Sequence, residues 1–441
     1  MSINYEQVVA DSQERHLPDL LRRSLEIRRA PGNALAVIGL RRSGKTYLCF
    51  QMMKDLLESG IPRENILYVN FEDERLSSFR NEDFQPLLEV FRQRIDDPDH
   101  KSYLFFDEIQ EVSGWEKFIR RIIDEGGFEV TITGSSAKLL SLEIHTSLRG
   151  RALPVEVFPF SFLEFAISRG IEIPKKIPGA KAKARLQACC ESYLYSGGFS
   201  GIISLDPATG RQMLQQYLDV VILRDVIERH EVTSVQSLRA LVQHLVHSPS
   251  CRMSINKIYN DFKSRGLTCS KNGLHAFVDH LADAYLIYPI FIHSRSERVR
   301  KVNPQKVYLV DTGLLAAASM NITADRGAFL ENLIFLSIRR KGDIVEYFHD
   351  GGGVETDFVV RDPMSGAIKD LIQVTWSLDN PQTCEREFRG LLTAMDKLNF
   401  NRGTIVVWTD HGNIKKKEGV TIIPAWRYLL GTQYAIESVS N

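Results

Sequence analysis

Short apolar runs alternate with amphipathic stretches through the first third of the chain. The runs are ALAVI, ILYVNF, YLFF, EVTIT and LPVEVF, at 34–38, 66–71, 103–106, 129–133 and 153–158. Each has the length of a buried strand, and helical periodicity fills most of the intervals between them. Because strands that alternate with helices form parallel sheets with crossover helices, the pattern predicts an α/β domain.

The pattern changes twice after this region. Residues 166–232 are mostly helical, interrupted by the linker EIPKKIPGAKAKA and the glycine turn YSGGFSGI. Residues 235–312 then indicate three helices followed by a β-hairpin, which is the order of a winged-helix domain. The last part predicts a helix at 327–342, three strands (IVEYFHD, ETDFVV and DLIQVTWS) and a helix from Gln382.

Composition limits the functional classes. The 441 residues are 44% hydrophobic and 25% charged, with 55 basic and 55 acidic side chains, as in a globular protein of zero net charge. Any nucleic-acid site must therefore be a local basic patch. The six cysteines have neither CxxC nor zinc-type spacing, which favours reduced thiols. We expect a cytoplasmic protein without a membrane partner, because the longest apolar stretch, at 284–292, is too short to span a bilayer and the N-terminus lacks a signal-peptide core.

An abruptly polar loop, GLRRSGKT, separates the first predicted strand from the next helix, and it fits G-x-x-x-x-G-K-[ST]. Its glycines let backbone N–H groups converge on a phosphate chain, and its lysine and threonine reach phosphate and Mg²⁺. The helix N-terminus favours the same anion. A glycine turn with a chance lysine is the alternative. The predicted cofactors are ATP and Mg²⁺, and the predicted ligands are Gly39, Arg42, Ser43, Gly44, Lys45 and Thr46.

Acidic residues follow the third predicted strand in YLFFDEIQ. We expect Asp107 to hold Mg²⁺ and Glu108 to polarise the water that attacks the γ-phosphate. A strand ending in a solvated acidic turn is the alternative. After the fourth strand, Thr133, Ser135 and Ser136 could sense the γ-phosphate, and we select Ser135 as a catalytic candidate. Any of the three hydroxyls could instead cap the next helix.

The segment LRGR precedes the fifth predicted strand and contains Arg149 and Arg151. A guanidinium offered across a subunit boundary can stabilise charge on a transferring phosphoryl group. A basic surface turn is an equally good interpretation of the residues alone.

Taken in order, GLRRSGKT, NFED, FFDEIQ, ITGSSAKLLS, LRGR and FPFSFLEF resemble the AAA+ type ATPases of archaea and bacteria that carry a nuclease-like C-terminal domain. The resemblance continues through YLYSGGF, KVYLVDTGLL, ETDFVV and LIQVTWS. It implies an arginine-finger or sensor role for Arg149 or Arg151, and a helical lid at 166–232. The implied order is ATPase domain, lid, winged helix and restriction-endonuclease-like α/β domain, at 1–165, 166–232, 233–318 and 319–441.

The connector of the predicted hairpin, SRSERVRKVNPQK at 294–306, holds five cations against Glu297. Such a cluster suits phosphate contacts without a base code. The helix before it offers Lys271, Asn272 and His275 near its start. The alternative is a winged helix that packs against other domains while the connector is merely solvated. The candidate DNA contacts are Lys271, Arg295, Arg298, Arg300 and Lys301.

The last predicted domain resembles the restriction-endonuclease-like fold but departs from its active-site pattern. Asp357 fits the first metal-binding acid and Glu331 the accessory acid on the first helix. Gln373 and Thr375 stand where a glutamate and a lysine are expected. Because a neutral amide is a poor Mg²⁺ ligand and threonine carries no charge, we expect a degenerate site without cleavage.

The leading hypothesis is an ATP-driven machine that binds duplex or branched DNA. We expect a homo-oligomer, with a hexamer as one form, in which each nucleotide site is completed by a neighbour. A switch whose ATPase state controls protein partners is a second hypothesis, and an ATP-regulated nuclease is a third.

Overall fold

A computed structural model describes residues 3–95, 100–134, 148, 150–176, 178–319, 325–409 and 417–431. Ser135, Ser136 and Arg149 therefore lie outside the described residues. The chain divides into two compact units. The first unit is Met1–Phe158 with Asp283–Tyr285, and the second is Pro159–Ala282 with Leu286–Asn441.

The first unit is built on a parallel five-stranded sheet, as the apolar pattern predicts. In its described residues the strands are β1 (Ala34–Ile38), β2 (Ile66–Asn70), β3 (Ser102–Asp107), β4 (Phe128–Gly134) and β5 (Ala152–Glu156). The helices are α1 (Tyr5–Glu14), α2 (Lys45–Glu58), α3 (Phe84–Gln93) and α4 (Trp115–Glu125). The strand order is β2-β3-β4-β1-β5, and every pairing is parallel.

Burial explains why these strands are nearly continuous apolar runs. All five residues of β1 are buried, because parallel sheets are covered by helices on both faces. Leu35 and Val37 pack with Leu48 and Met53 of α2 in one core cluster. The strand order leaves β4 between β1 and β3, so the ends of these three strands lie together at one edge of the sheet.

The second unit begins with helices. They are α5 (Phe162–Ser168), α6 (Ala180–Ser196) and α7 (Pro207–Val220), which continues into a π-helical segment, Val221–Glu228. Ser161 and Glu164 form a capping box at the start of α5, and Asp206 caps α7 with proline at the first position.

A three-stranded antiparallel sheet follows, with three helices in the order that the pattern predicts. The elements are α8 (Val235–His247), β6 (Arg252–Met253), α9 (Ile255–Ser264), α10 (Lys271–Asp283), β7 (Ile287–Ile290), α11 (Glu297–Val302) and β8 (Gln305–Leu309). The strand order is β6-β8-β7. The structure differs from the prediction by adding β6 and α11. Both are too short for a periodic signal, and α11 starts where the Ser296 side chain accepts the Val299 N–H.

The chain ends in a mixed sheet flanked by helices. The described elements are α12 (Thr312–Ala318), α13 (Arg326–Arg339), β9 (Ile344–His349), β10 (Glu355–Arg361), β11 (Ile368–Thr375), α14 (Pro381–Lys397), β12 (Gly403–Val407), β13 (Val420–Pro424) and α15 (Ala425–Leu430). The strand order is β13-β12-β11-β10-β9. The pairs from β9 to β11 are antiparallel and those from β11 to β13 are parallel. Among the helices described, none is long and apolar enough to cross a bilayer.

Candidate functional site

The loop between β1 and α2 adopts a backbone that its glycines permit. Gly39 has φ +137°, and a Cβ there would lie 2.3 Å from the Val157 carbonyl oxygen. Gly44 has φ +103° and precedes the first residue of α2. Both conformations are costly for side chains with a Cβ. The pattern of the sequence therefore corresponds to a real steric requirement.

Two polar groups of this loop are buried. The Lys45 ammonium is 4% exposed and donates to the carbonyls of Gly39 and Leu40 at 3.2 and 3.3 Å. The Ser43 hydroxyl is buried and has no hydrogen-bond partner among the described residues. A buried ammonium and an unsatisfied hydroxyl beside a helix N-terminus fit a phosphate chain.

Asp107 lies at the end of β3 and is 1% exposed. The Thr46 hydroxyl and the Tyr68 phenol both donate to its Oδ2 at 2.7 Å, and the Thr133 hydroxyl donates to its Oδ1. Burial, with the charge of Asp107, raises the pKa of Tyr68 well above its usual value. Thr46 and Asp107 thus converge, and their oxygen atoms fit a Mg²⁺ ion.

Glu108 is held next to this cluster in an unusual conformation. Its φ is +52°, which is rare for a residue other than glycine. Its N–H donates to the Thr133 hydroxyl at 3.0 Å, and its carboxylate accepts from Gln110 Nε2 at 2.6 Å. Its Oε1 lies 3.7 Å from the Lys45 ammonium. A backbone constraint at an acidic side chain is a recurrent feature of active sites.

The sequence did not reveal Tyr68 and Gln110 as parts of this site. Tyr68 lies within an apolar strand, where a tyrosine reads as a core residue. Gln110 follows the acidic pair closely, and a polar residue at that spacing could have been the signal. Of the three hydroxyl candidates, Thr133 lies near the end of β4 and contacts both acids, whereas Ser135 and Ser136 are outside the described residues.

Arg151 is at the opposite edge of the same sheet. Its carbonyl accepts from the N–H of Ala34, the first residue of β1, whereas the phosphate-type loop follows the last residue of that strand. Its guanidinium pairs with Asp124 on α4 at 2.5 Å. Around it is a charged surface depression lined by Lys117, Arg120, Arg121, Asp124, Glu125 and Arg151. Arg151 therefore cannot reach the loop of its own chain.

The basic connector at 294–306 is less available than the sequence suggests. Arg295, Arg298 and Lys301 are exposed. Arg300 is half-buried, and its guanidinium lies 3.4 Å from Glu346, a carboxylate that is 1% exposed, which leaves it less available to a phosphate. The fifth cation of the segment, Lys306 on β8, is buried, with 2% of its surface exposed. Lys271 is exposed at the start of α10, with its ammonium 5.4 Å from the Tyr259 ring centroid.

Lys306 lies among acidic side chains of α13 and β10. Its ammonium is 3.0 Å from Glu331 Oε1, 2.6 Å from Glu355 Oε1 and 3.1 Å from Asp357 Oδ1. The Tyr308 phenol donates to the same Glu331 oxygen at 2.6 Å. The structure thus brings Glu331 and Asp357 together with Lys306 and Glu355. We call these four residues the Lys306 cluster.

Gln373 and Thr375 are engaged in other contacts. The Gln373 amide donates to Glu387 at 2.7 Å and accepts from the Asp357 N–H at 3.4 Å. The Thr375 hydroxyl donates to the Ser377 carbonyl at 3.3 Å. A divalent cation does not fit these residues, because an ammonium already lies between the carboxylates and the adjoining positions carry an amide and a hydroxyl.

Electrostatics within the Lys306 cluster favour a charged lysine. Burial alone would lower the pKa of Lys306, but Glu331, Tyr308 and Asp357 raise it well above its usual value. Burial and the charge of Asp357 raise the pKa of Glu331 to about 7, although Lys306 and Tyr308 act against that increase.

Two family models match separate parts of the chain, and the first match contains all five strands of the parallel sheet. Residues 31–166 match a family model described as an AAA domain, and residues 189–325 match a domain of unknown function (DUF8612). The first part of the chain is therefore a P-loop ATPase domain of the AAA type.

Two relatives match much more of the chain. An uncharacterized protein of Methanocaldococcus jannaschii, MJ1544, is 32% identical and covers 97% of this chain and 95% of its own length. An uncharacterized protein of Haemophilus influenzae is 30% identical over 74% of this chain and 78% of its own length. The chain belongs to the same family as these two proteins.

Solved structures give weaker matches. A Walker-type ATPase of Pyrococcus abyssi is 15% identical, with a TM-score of 0.37 over 71% of this chain and 94% of its own. The ORC1 protein of Aeropyrum pernix, solved in complex with DNA, is 14% identical, with a TM-score of 0.28 over 73% of this chain and 91% of its own. Scores of this size carry no argument about function.

Proposed function

From membership of this family and from the geometry around Lys45, we propose that the chain is an ATP-hydrolysing, DNA-binding protein of the AAA type. The observation that carries the proposal is the convergence of Lys45, Thr46, Asp107 and Glu108 at one edge of a parallel sheet. Three of these side chains are buried, and each lies within 4 Å of another of the four. A loop, an acid for the metal and an acid for water are the parts that nucleotide hydrolysis requires.

Each residue has a distinct role in this mechanism. Lys45 would exchange its contacts with the loop carbonyls for the β- and γ-phosphates, and Thr46 and Asp107 would hold Mg²⁺. The ion, when bound, would neutralise charge at the transferring phosphoryl group. Glu108 accepts the proton of the attacking water, while Gln110 orients its carboxylate through the 2.6 Å hydrogen bond.

The position of Arg151 supports a homo-oligomer in which a hexamer is one possible form. A guanidinium at the far edge of the sheet can serve only the nucleotide of a neighbouring chain. Arg149, outside the described residues, is the other candidate for this role. Mixing Lys45→Ala chains with Arg149→Ala, Arg151→Ala chains should restore some hydrolysis. Mixed oligomers without any activity would contradict action between subunits.

DNA is the proposed partner because of the second unit. The order of α8, α9, α10 and the β6-β8-β7 sheet supports a winged helix, whose third helix and connector carry Lys271, Arg295, Arg298 and Lys301 on the surface. Backbone phosphates of duplex or branched DNA are suitable ligands for these cations. The proposed domains are the ATPase domain, the helical lid, the winged helix and the nuclease-like domain, at 1–165, 166–232, 233–318 and 319–441. The last domain has a nuclease-like fold but does not cleave DNA.

A switch acting on protein partners is the second candidate, and the burial of Lys306 and the pairing of Arg300 favour it, because they leave a smaller basic surface. Binding to single-stranded, duplex and four-way DNA, with and without ATP and over a salt series, separates the two. The DNA proposal expects affinity that falls steeply with salt. Absence of binding to all three DNAs in low salt, by protein that hydrolyses ATP, would instead favour the switch.

A further inference from the structure

The ammonium of Lys306 is enclosed by acidic side chains: it donates hydrogen bonds to Glu331 and Asp357, and Glu355 is an ion-pair partner. A protonated lysine has three N–H donors and no acceptor. Three carboxylates, from Glu331, Glu355 and Asp357, lie within 3.1 Å of its nitrogen. With two N–H groups donating to carboxylates and a third carboxylate at ion-pair distance, the positive charge is balanced by acids of its own chain. Lys306 is therefore arranged as a counter-ion rather than as a catalytic lysine.

Charge balance in the Lys306 cluster leads to the same assignment. Three carboxylates surround one ammonium, and Arg252 supplies a second cation, with its Nε 3.3 Å from Glu355 Oε2. Arg252 and Lys306 face each other across the β6–β8 pair. Both cations therefore come from the three-stranded sheet, and the acids come from α13 and β10. Buried carboxylates without such cations would be strongly destabilising.

We propose that Lys306 is the resident cation of the C-terminal domain, and that its ammonium occupies the position in which a nuclease-like carboxylate site would hold a metal ion. The carboxylates accept a metal ion only when Lys306 is removed. In the intact chain the cluster joins the β6-β8-β7 sheet to the C-terminal sheet. This assignment rests on the nuclease-like fold of the proposed function, but it does not depend on nucleotide hydrolysis.

Terbium luminescence tests this assignment, because Tyr308 donates to Glu331 and would sensitise Tb³⁺ bound by the same carboxylates. The full-length parent and Asp357→Asn should give equal tyrosine-excited Tb³⁺ emission. This emission is a background common to both proteins, and Tb³⁺ bound at Asp107 beside Tyr68 contributes to it. Lys306→Ala should add emission that Mn²⁺ competes away, with affinity for Tb³⁺ at least tenfold above the parent. Lys306→Ala combined with Asp357→Asn should return to the parent level. The control Lys301→Ala should behave as the parent does.

Two results would overturn the proposal. One is parent emission, or Mn²⁺-dependent DNA cleavage by the parent, that Asp357→Asn removes, because the site would then hold metal with its lysine present. The other is folded Lys306→Ala protein without added emission. If Lys306→Ala does not fold, Lys306→Ala with Glu355→Gln removes one charge of each sign and should fold. Glu331 and Asp357 should then still give added emission, and its absence would also reject the assignment.

Discussion

Two buried lysines of this chain face acidic side chains in different ways. Lys45 is 4% exposed, donates to two loop carbonyls, and has its nearest carboxylate, that of Glu108, at 3.7 Å. Lys306 is 2% exposed and has three carboxylates within 3.1 Å. Burial and residue type are the same, so the difference lies in the partners alone.

Partners decide whether a buried ammonium can exchange one ligand for another. Carbonyl oxygens carry only a partial negative charge, so a phosphate, which carries a full negative charge, can replace them at the Lys45 ammonium. Three carboxylates around Lys306 leave no such exchange. The same side chain thus functions at one site as a ligand-binding group and at the other as a structural cation.

The largest expected effect is the loss of hydrolysis when the exchangeable lysine or its neighbouring acid is changed. Lys45→Ala should weaken nucleotide binding and abolish turnover, because the phosphates lose their counter-charge. Glu108→Gln should keep the nucleotide and lose about 10²- to 10⁴-fold in turnover, because only the water-polarising group is lost. Binding of a labelled nucleotide, measured beside phosphate release, separates the two. The matched control is Lys54→Ala, at a partly exposed lysine of α2. Normal turnover by Glu108→Gln would reject the assignment of Glu108 as the water-polarising group.

Replacing Lys306 should reduce the stability of the fold more than replacing Lys45 does. Lys306→Ala leaves the buried Asp357 and the partly exposed Glu331 and Glu355 without their cation and should cost about 3–5 kcal/mol of unfolding free energy. Lys45→Ala removes the ammonium together with its two hydrogen bonds to carbonyl oxygens and should cost less, roughly 1–2 kcal/mol. Denaturant unfolding of the full-length variants measures both. Equal losses in the two variants would mean that the contrast between their partners has no energetic content.

The members of the first lysine site can be grouped from the sequence because most of them are close together in the chain. Gly39, Lys45 and Thr46 lie within eight consecutive residues, and each has a fixed steric or chemical task. The acidic partner, Asp107, follows another apolar strand, so strand order brings it to the same edge. Tyr68 had no such signal, because a phenol inside an apolar strand is indistinguishable from a core residue.

The second lysine site could be predicted only in part, because its members are distant in the chain and follow no fixed spacing. Glu331 and Asp357 matched the order of a known fold. Lys306 was grouped with its exposed neighbours in the basic connector, since nothing in SRSERVRKVNPQK separates a strand residue from a loop residue. Lys306 is buried where β8 pairs with β6 and β7 and meets the acidic side chains of α13 and β10.

Acidity gives a smaller but more specific test of the Lys306 cluster. The pKa of Glu331 is raised to about 7 from an ordinary 4.5, so the folded state binds more protons than the unfolded state between these values. Its contribution to stability is therefore present below pH 4.5 and is lost as the pH rises through 7. Glu331→Gln stays neutral and should remove about 1–3 kcal/mol of this pH dependence. Unfolding free energies from pH 5 to 8 check it, with the exposed Glu297→Gln as control; parallel profiles for Glu331→Gln and parent would contradict it.

The smallest expected effect concerns the exposed cations next to Lys306 in sequence. Arg298→Ala with Lys301→Ala should reduce the slope of log affinity against log salt by about 0.9 for each duplex phosphate that the variant no longer neutralises. All duplex sequences should weaken about equally, because phosphate contacts carry no base code. Arg300→Ala should change the slope less, since its guanidinium already lies 3.4 Å from Glu346. Fluorescence anisotropy over a salt series measures the slopes. The contrary result is that Arg300→Ala reduces the slope as much as replacement of Arg298 or Lys301 does. In that case the contact with Glu346 does not limit the binding of Arg300 to DNA, and exposed and internally paired cations of this segment do not differ.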